Sequence, residues 1–129
     1  MPADLSIVVP VYNRAELLAY SLESVHRARG SLQLEVIVVD DGSTPPLDPA
    51  LPALQRIQAR VIRQENQGLL FARLRGFKEA TGRHTLFLDS DDLVNPEKLT
   101  AQVTAMDRTG VDVTFRISSS MRCVAAGLP

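Results

Sequence analysis

The sequence predicts an α/β fold, an open and mainly parallel sheet with helices on both faces. Short apolar runs rich in β-branched residues recur along the chain, each ending at turn or charged residues. Between them lie stretches with apolar residues at helical spacing. Strands alternating with helices form βαβ units, and the crossovers of such units are nearly always right-handed.

The elements follow in chain order. Leu5 to Val9 reads as the first strand, buried on both faces. Arg14 to Arg29 reads as a helix, with Leu18, Leu22 and Val25 as its apolar face, Asn13 as N-cap, Glu16 three residues later and Gly30 just past the end. Leu34 to Val39 is the second strand. The four prolines of STPPLDPALPAL make Ser43 to Ala59 a loose connection with at most a short helix. Arg60 to Ile62 is a third strand. Leu69 to Thr81 is a second long helix, with Leu70, Leu74 and Phe77 as its apolar stripe and Gly82 as its stop. Thr85 to Leu88 is a fourth strand, and Asn95 caps a last helix that Pro96 opens and Gly110 follows. Beyond Ile117 no period is legible, and no closing element is expected.

A chain of 129 residues is the size of one domain. With 45% apolar and 22% charged residues and a formal net charge of -1, the whole-chain balance points to no nucleic-acid partner. The single Cys123 forms no internal disulfide and no cysteine-rich zinc site, so a reducing compartment is expected. No apolar run approaches the roughly 20 residues of a membrane span, and MPADLSIVV lacks the basic start of a signal peptide. A cytoplasmic location is expected, with a membrane-peripheral parent protein left open.

In open α/β sheets, ligands bind beyond the carboxyl ends of the strands. Here those ends carry Pro10-Val11-Tyr12-Asn13, Asp40-Asp41-Gly42-Ser43 and Asp89-Ser90-Asp91-Asp92. Two carboxylates about 4 Å apart repel by roughly 4 kcal/mol at an effective dielectric of 20, so the last cluster needs relief from a cation, a proton or solvent. Asp89 and Asp91 converge if the backbone is extended, whereas a turn at the strand end brings Asp92 round. Carboxylates with so few other protein donors suit Mg²⁺ or Mn²⁺, which take their remaining ligands from water and phosphate, so a nucleoside diphosphate is the implied partner. The same residues also serve as plain turn and helix-start residues. Asp41 is a carboxylate able to accept from a ring N–H of a base, and Asp40-Asp41 before Gly42 equally fits an Asx-turn. Tyr12 offers a face for stacking or a partly buried packing surface. Arg73, one turn into its helix, can face phosphate together with the helix dipole, while Arg75 and Lys78 read as a solvated face.

Several chemistries are excluded. There is no GxxxxGK[ST] loop and no GxGxxG after the first strand. His26 reads as surface and His84 as a strand-start residue, with no Cys or Ser partner for either. A phospho-acceptor receiver would carry its acidic pair after the first strand, where this chain has PVYNR.

In their order and intervals, SIVVPVYNR, VIVVDDGS, NQGLLFARLRG and TLFLDSDD resemble the nucleotide-binding half of a family 2 glycosyltransferase with the Rossmann-like GT-A fold, over roughly Leu5 to Gly110. The resemblance implies transfer of a sugar from a nucleotide diphosphate donor, often UDP-linked, to an acceptor hydroxyl with inversion. It further implies that Pro10 and Tyr12 flank the base, that Asp41 contacts uracil and that Arg73 lies near base or phosphate. DSDD matches the DXD motif. Asp91 and Asp92 then contact ribose and the divalent metal, Mn²⁺ or Mg²⁺, and Asp89 is a metal ligand in the alternative register. Leu74 stands where the family commonly has Asn, and His84 where it has an aromatic residue. The family's general base lies well downstream of the DXD motif, and Asp107 and Asp112 are too close to match it. Residues 1–129 therefore read as one donor-binding domain, truncated at the C-terminus, with no catalytic base assigned. A UDP-sugar donor, an unknown acceptor (sugar, lipid or polysaccharide) and self-association through uncovered surface are the expected partners.

Overall fold

The computed structural model describes residues 3–110, 113–116 and 123–125. Six strands form one sheet in the order β3-β2-β1-β4-β5-β6. β1 (Leu5–Val11) pairs in parallel with β2 (Leu34–Asp41) and β4 (His84–Phe87), and β2 with β3 (Arg60–Gln64). β5 (Val113–Arg116) is parallel to β4, and β6 (Cys123–Ala125) is antiparallel to β5. Neither was expected from the sequence: β5, of four residues, ends just before Ile117, and β6, of three, lies beyond it.

The apolar runs alternate between two cores. Ile7, Val9, Val36 and Val38 point to the face covered by α1 (Ala15–Ala28), α2 (Pro52–Arg56) and α4 (Pro96–Thr109), where they meet Leu18, Leu22, Val25, Leu54, Leu99 and Val103. Val8, Ile37, Val39, Ile62 and Phe87 point to the other face and meet α3 (Leu69–Glu79). Both faces are covered, which is why these strands read as continuous apolar runs.

Two helices differ from their expected form. Asn13 does not cap α1: Arg14 occupies that position without a side-chain cap bond. Asn13 instead has φ 53°, its N–H donates to Ser43 Oγ at 2.9 Å, and its Oδ1 accepts from Thr44 N at 2.8 Å. The larger difference is α3. Its expected apolar stripe faces outward, with Leu70 65% exposed and Leu74 and Phe77 each 43% exposed, and the helix docks through Ala72 and Gly76. The reason is close approach: a Cβ on Gly76 would collide with Val8 Cγ1 and lie 3.2 Å from Val39 Cγ2, so this face accepts only the smallest residues. By contrast α4 follows its signals, with Asn95 Oδ1 accepting from Glu97 N at 2.9 Å and Gly110 in the left-handed region. Among the described residues no helix is long and apolar enough to cross a membrane.

The order 3-2-1-4 places a switch point between β1 and β4. The chain moves outward from β1 to β3, then returns to the other side of β1. A crevice opens there at the carboxyl ends, where such folds bind ligands.

Candidate functional site

That crevice is a cleft of about 380 Å³, walled by Pro10 and Tyr12 after β1, Asp41 after β2, Leu69 at the start of α3, and Asp89 and Asp91 after β4. Pro10 is a buried strand residue paired with Val39, while Tyr12, the first residue past β1, is 48% exposed. A larger groove of about 890 Å³ opens against Tyr12 and the Ser43–Asp48 loop. It contains none of the three clustered carboxylates, so size does not decide which cavity is the site.

The two residues of the Asp40-Asp41 pair have different partners. Asp40 is almost fully buried, its Oδ1 accepting from Ser43 N and its Oδ2 from Leu47 N and Arg63 Nη1 at 2.8 to 3.0 Å. Burial pushes its carboxyl up, and the Ser43, Leu47 and Arg63 hydrogen bonds more than offset this, holding it below the usual carboxylate range. It fixes the loop leaving β2. Asp41 fixes the loop entering α3: its Oδ1 accepts from Gln64 Nε2 and Gln67 N, and its Oδ2 from Gly68 N at 3.0 Å. Between them Gly42, at φ 84°, lets the two loops touch, since a Cβ there would stand 2.7 Å from Asn66 N.

The acidic loop after β4 is built as a turn. Leu88 N still donates to Val8 O, then Asp92 N donates to Asp89 O at 3.0 Å. The turn brings one carboxylate oxygen from each of Asp89, Asp91 and Asp92 within 4.8 Å of one another. α1 anchors the loop from behind. Ser21 Oγ, fully buried, donates to Ser90 O at 2.7 Å, and Ser24 Oγ accepts from Val94 N at 2.9 Å. Guanidinium groups meet the cluster from two sides, Arg73 Nη2 donating to Asp89 Oδ1 at 2.9 Å and Arg14 Nη1 lying 3.7 Å from Asp91 Oδ2. Arg73 Nε is buried without a hydrogen-bond partner among the described residues. Three convergent hard oxygen donors open to a phosphate-sized space fit Mg²⁺ or Mn²⁺. Thus Tyr12, Asp41, Arg73 and the acidic cluster, dispersed in sequence, share one rim.

The remaining candidates lie elsewhere. His84 opens β4 at the amino edge, buried, with Nε2 2.7 Å from Asp107 Oδ1. That hydrogen bond, with Arg83 nearby, holds the Asp107 carboxyl below its ordinary value. His26 is half-buried on α1, Arg75 and Lys78 are exposed on α3, and Asp112 lies outside the described residues. Sequence reasoning missed Arg14, Ser21, Ser24 and Gln64. Only their placement around the cleft marks them, for each is an ordinary helix or strand-end residue by composition.

A mainly parallel sheet with helices on both faces and an acidic turn at its switch point defines an open, doubly wound α/β domain. The chain belongs to glycosyltransferase family 2: the Glycosyl transferase family 2 profile matches residues 6–119. An uncharacterized glycosyltransferase of Rickettsia bellii is 35% identical over 106 residues, 81% of this chain and 15% of that protein. The succinoglycan biosynthesis protein ExoO of Rhizobium meliloti is 33% identical over 111 residues, 85% of this chain and 32% of its own length. Among solved structures, S. aureus TarS 1-349 superposes with a TM-score of 0.70 at 30% identity, covering 87% of this chain and 34% of that one. The mannosyltransferase PcManGT of Pyrobaculum calidifontis, in complex with GDP-Man and Mn²⁺, gives 0.68 at 25% identity, covering 86% of this chain and 34% of that one. The chain thus spans 15% to 32% of these two curated relatives.

Proposed function

We propose that this chain is the donor-binding part of an inverting, metal-dependent glycosyltransferase that takes a nucleotide diphosphate sugar, with UDP as the carrier, for transfer to an acceptor hydroxyl on a sugar, lipid or polysaccharide. The observation that carries the reading is the convergence of Asp89, Asp91 and Asp92 at the β1/β4 switch point, with Arg73 on one of them. PcManGT, a relative in fold, was captured with a nucleotide diphosphate sugar and Mn²⁺, which supports the ligand class.

In this reading Asp89, Asp91 and Asp92 hold Mn²⁺ or Mg²⁺, and Asp91 also meets the ribose. The ion, when bound, neutralises charge that grows on the departing diphosphate, a Lewis-acid effect worth several kcal/mol in the transition state. Tyr12 and Pro10 flank the base. Asp41, held rigid by Gln64, Gln67 and Gly68, offers the one acceptor position left on its Oδ2 to the base's ring N–H. Arg73 lies where its guanidinium meets phosphate or base. Asp41 at the end of β2 and Arg73 on α3 are already held by hydrogen bonds, which supports binding with little loss of ordering entropy at those two residues. A cytoplasmic site of action, at the membrane periphery in a larger parent, goes with this reading.

A second reading is a nucleotide-binding module that turns nothing over. Favouring it, Asp107 on α4 is turned to His84 and Arg83 at the amino edge of the sheet, opposite the cleft. Incubating the chain with Mn²⁺ and a panel of nucleotide sugars separates the two. Release of nucleoside diphosphate establishes turnover, UDP binding without release establishes the module, and binding of no nucleotide contradicts both.

A further inference from the structure

The two arginines at the acidic cluster are held differently. Arg73 is hydrogen-bonded to Asp89 at 2.9 Å, and its side chain is 27% exposed. Arg14 stands 3.7 Å from Asp91, beyond hydrogen-bond reach, with side chains 56% and 51% exposed. Arg14 also sits at the N-cap of α1, where a cation is repelled by the positive end of the helix dipole, so helix stability gives no reason for a guanidinium there. Its side chain borders both the cleft and the larger groove against Tyr12, which leaves it room to move.

Resting on the donor-site reading above, we propose that Arg14 is a resident counter-cation that changes partner during donor binding. Without a divalent ion it offsets the charge of Asp91. When the ion takes that carboxylate, the two positive charges repel and the loose pair parts, since an exposed pair at this distance is worth little. Arg14 then turns to the diphosphate, whose oxygens match the guanidinium fork. Arg73 stays on Asp89, because a charge-assisted hydrogen bond is stronger and its side chain less free. Arg14 therefore opposes binding of the ion alone and favours binding of the ion together with a diphosphate, which ties occupancy of the site to the whole donor.

The test is calorimetric titration of the full 129-residue chain with Mn²⁺ alone, then with UDP at saturating Mn²⁺, for the wild type, Arg14→Gln and Arg14→Lys. Arg14→Gln is expected to bind Mn²⁺ alone about fivefold more tightly and UDP about fivefold more weakly, the scale of one partly exposed ion pair. Arg14→Lys should keep Mn²⁺ affinity near wild type and recover part of the UDP affinity. If Arg14→Gln fails to fold, that Lys pattern carries the test by itself. Constants that do not change in Arg14→Gln, or that both move in one direction, overturn the proposal while leaving the donor site standing. A wild type that binds neither probe overturns the donor site and this inference together.

Discussion

Asp40 and Asp41 end β2 buried and engaged by the chain's own donors, whereas Asp89 and Asp91 follow β4 with side chains 41% and 51% exposed and guanidinium groups as partners. Both stretches are acidic and both lie on the same rim. The difference is who answers the charge. Backbone N–H groups from Ser43, Leu47, Gln67 and Gly68, with the Arg63 and Gln64 side chains, satisfy the first pair, and removing Asp40 leaves the Ser43 and Leu47 N–H groups buried and unpaired. The second group is crowded by its own turn and answered by Arg73 on Asp89 and by the loosely paired, exposed Arg14 on Asp91, so the charge of Asp91 is available to a ligand. The first stretch shapes the site and leaves Asp41 one acceptor position for a base, and the second meets the charged part of the ligand.

This contrast can be broken at either end. The largest effect should come from Asp40→Ala, which strands Arg63 and two loop N–H groups and should cost about 3 kcal/mol, or roughly 10 °C in Tm by thermal unfolding. Next, Asp91→Asn should leave stability without ligand within about 0.5 kcal/mol of wild type. It should also abolish an Mn²⁺-linked stabilisation of about 2.7 kcal/mol, the increment expected at a hundredfold excess over Kd. Ser21→Ala removes the buried hydrogen bond to Ser90 and should cost about 1 kcal/mol in denaturant unfolding, with Mn²⁺ bound more weakly as the acidic turn loosens. Leu74→Glu, on the exposed face of α3, should change stability by less than about 0.5 kcal/mol and reduce self-association in sedimentation. A wild type that is strictly monomeric at high concentration would remove that last expectation.

Acid acts on the first region through Asp40. Asp40 is held below its ordinary value because hydrogen bonds outweigh burial, and so is Glu35 on β2, whose carboxylate accepts from Ser6 Oγ, Thr81 N and Thr81 Oγ1; Asp107 is lowered by its His84 hydrogen bond. Their contribution is present above the unfolded-state pKa, about 4, and is lost as pH falls through the lower folded-state values. Asp40→Asn should therefore flatten the acid limb of the stability curve, seen as a smaller fall in Tm between neutral and strongly acidic buffer.

Much of this was legible in the chain. Four of the five parallel strands were readable, β1, β2 and β4 because burial on both faces forces continuous apolar runs, and the acidic turn because three carboxylates so close together require a reason. The orientation of α3 was not. Leu70, Leu74 and Phe77 have core spacing, but the distance between helix and sheet is set by Gly76 against Val8 and Val39, a long-range fit that periodicity does not encode. Asn13 had the residue type of an N-cap, and its side chain was taken by Thr44 across the rim. The partners of Asp41 lie 23 to 27 residues away, so the sequence shows the carboxylate but not what engages it. Arg14, Ser21 and Ser24 became visible only when α1 was seen to pack behind the acidic turn.

The central claim is that the turn after β4 joins a divalent ion to a nucleoside diphosphate. Titrating UDP into the wild type with Mn²⁺, and again with chelator in its place, tests it most directly. The account predicts UDP affinity at least tenfold tighter with Mn²⁺, about 1.4 kcal/mol of coupling, and loss of that difference in Asp91→Asn. Equal UDP affinity with and without the ion, in a folded wild-type chain, would contradict it.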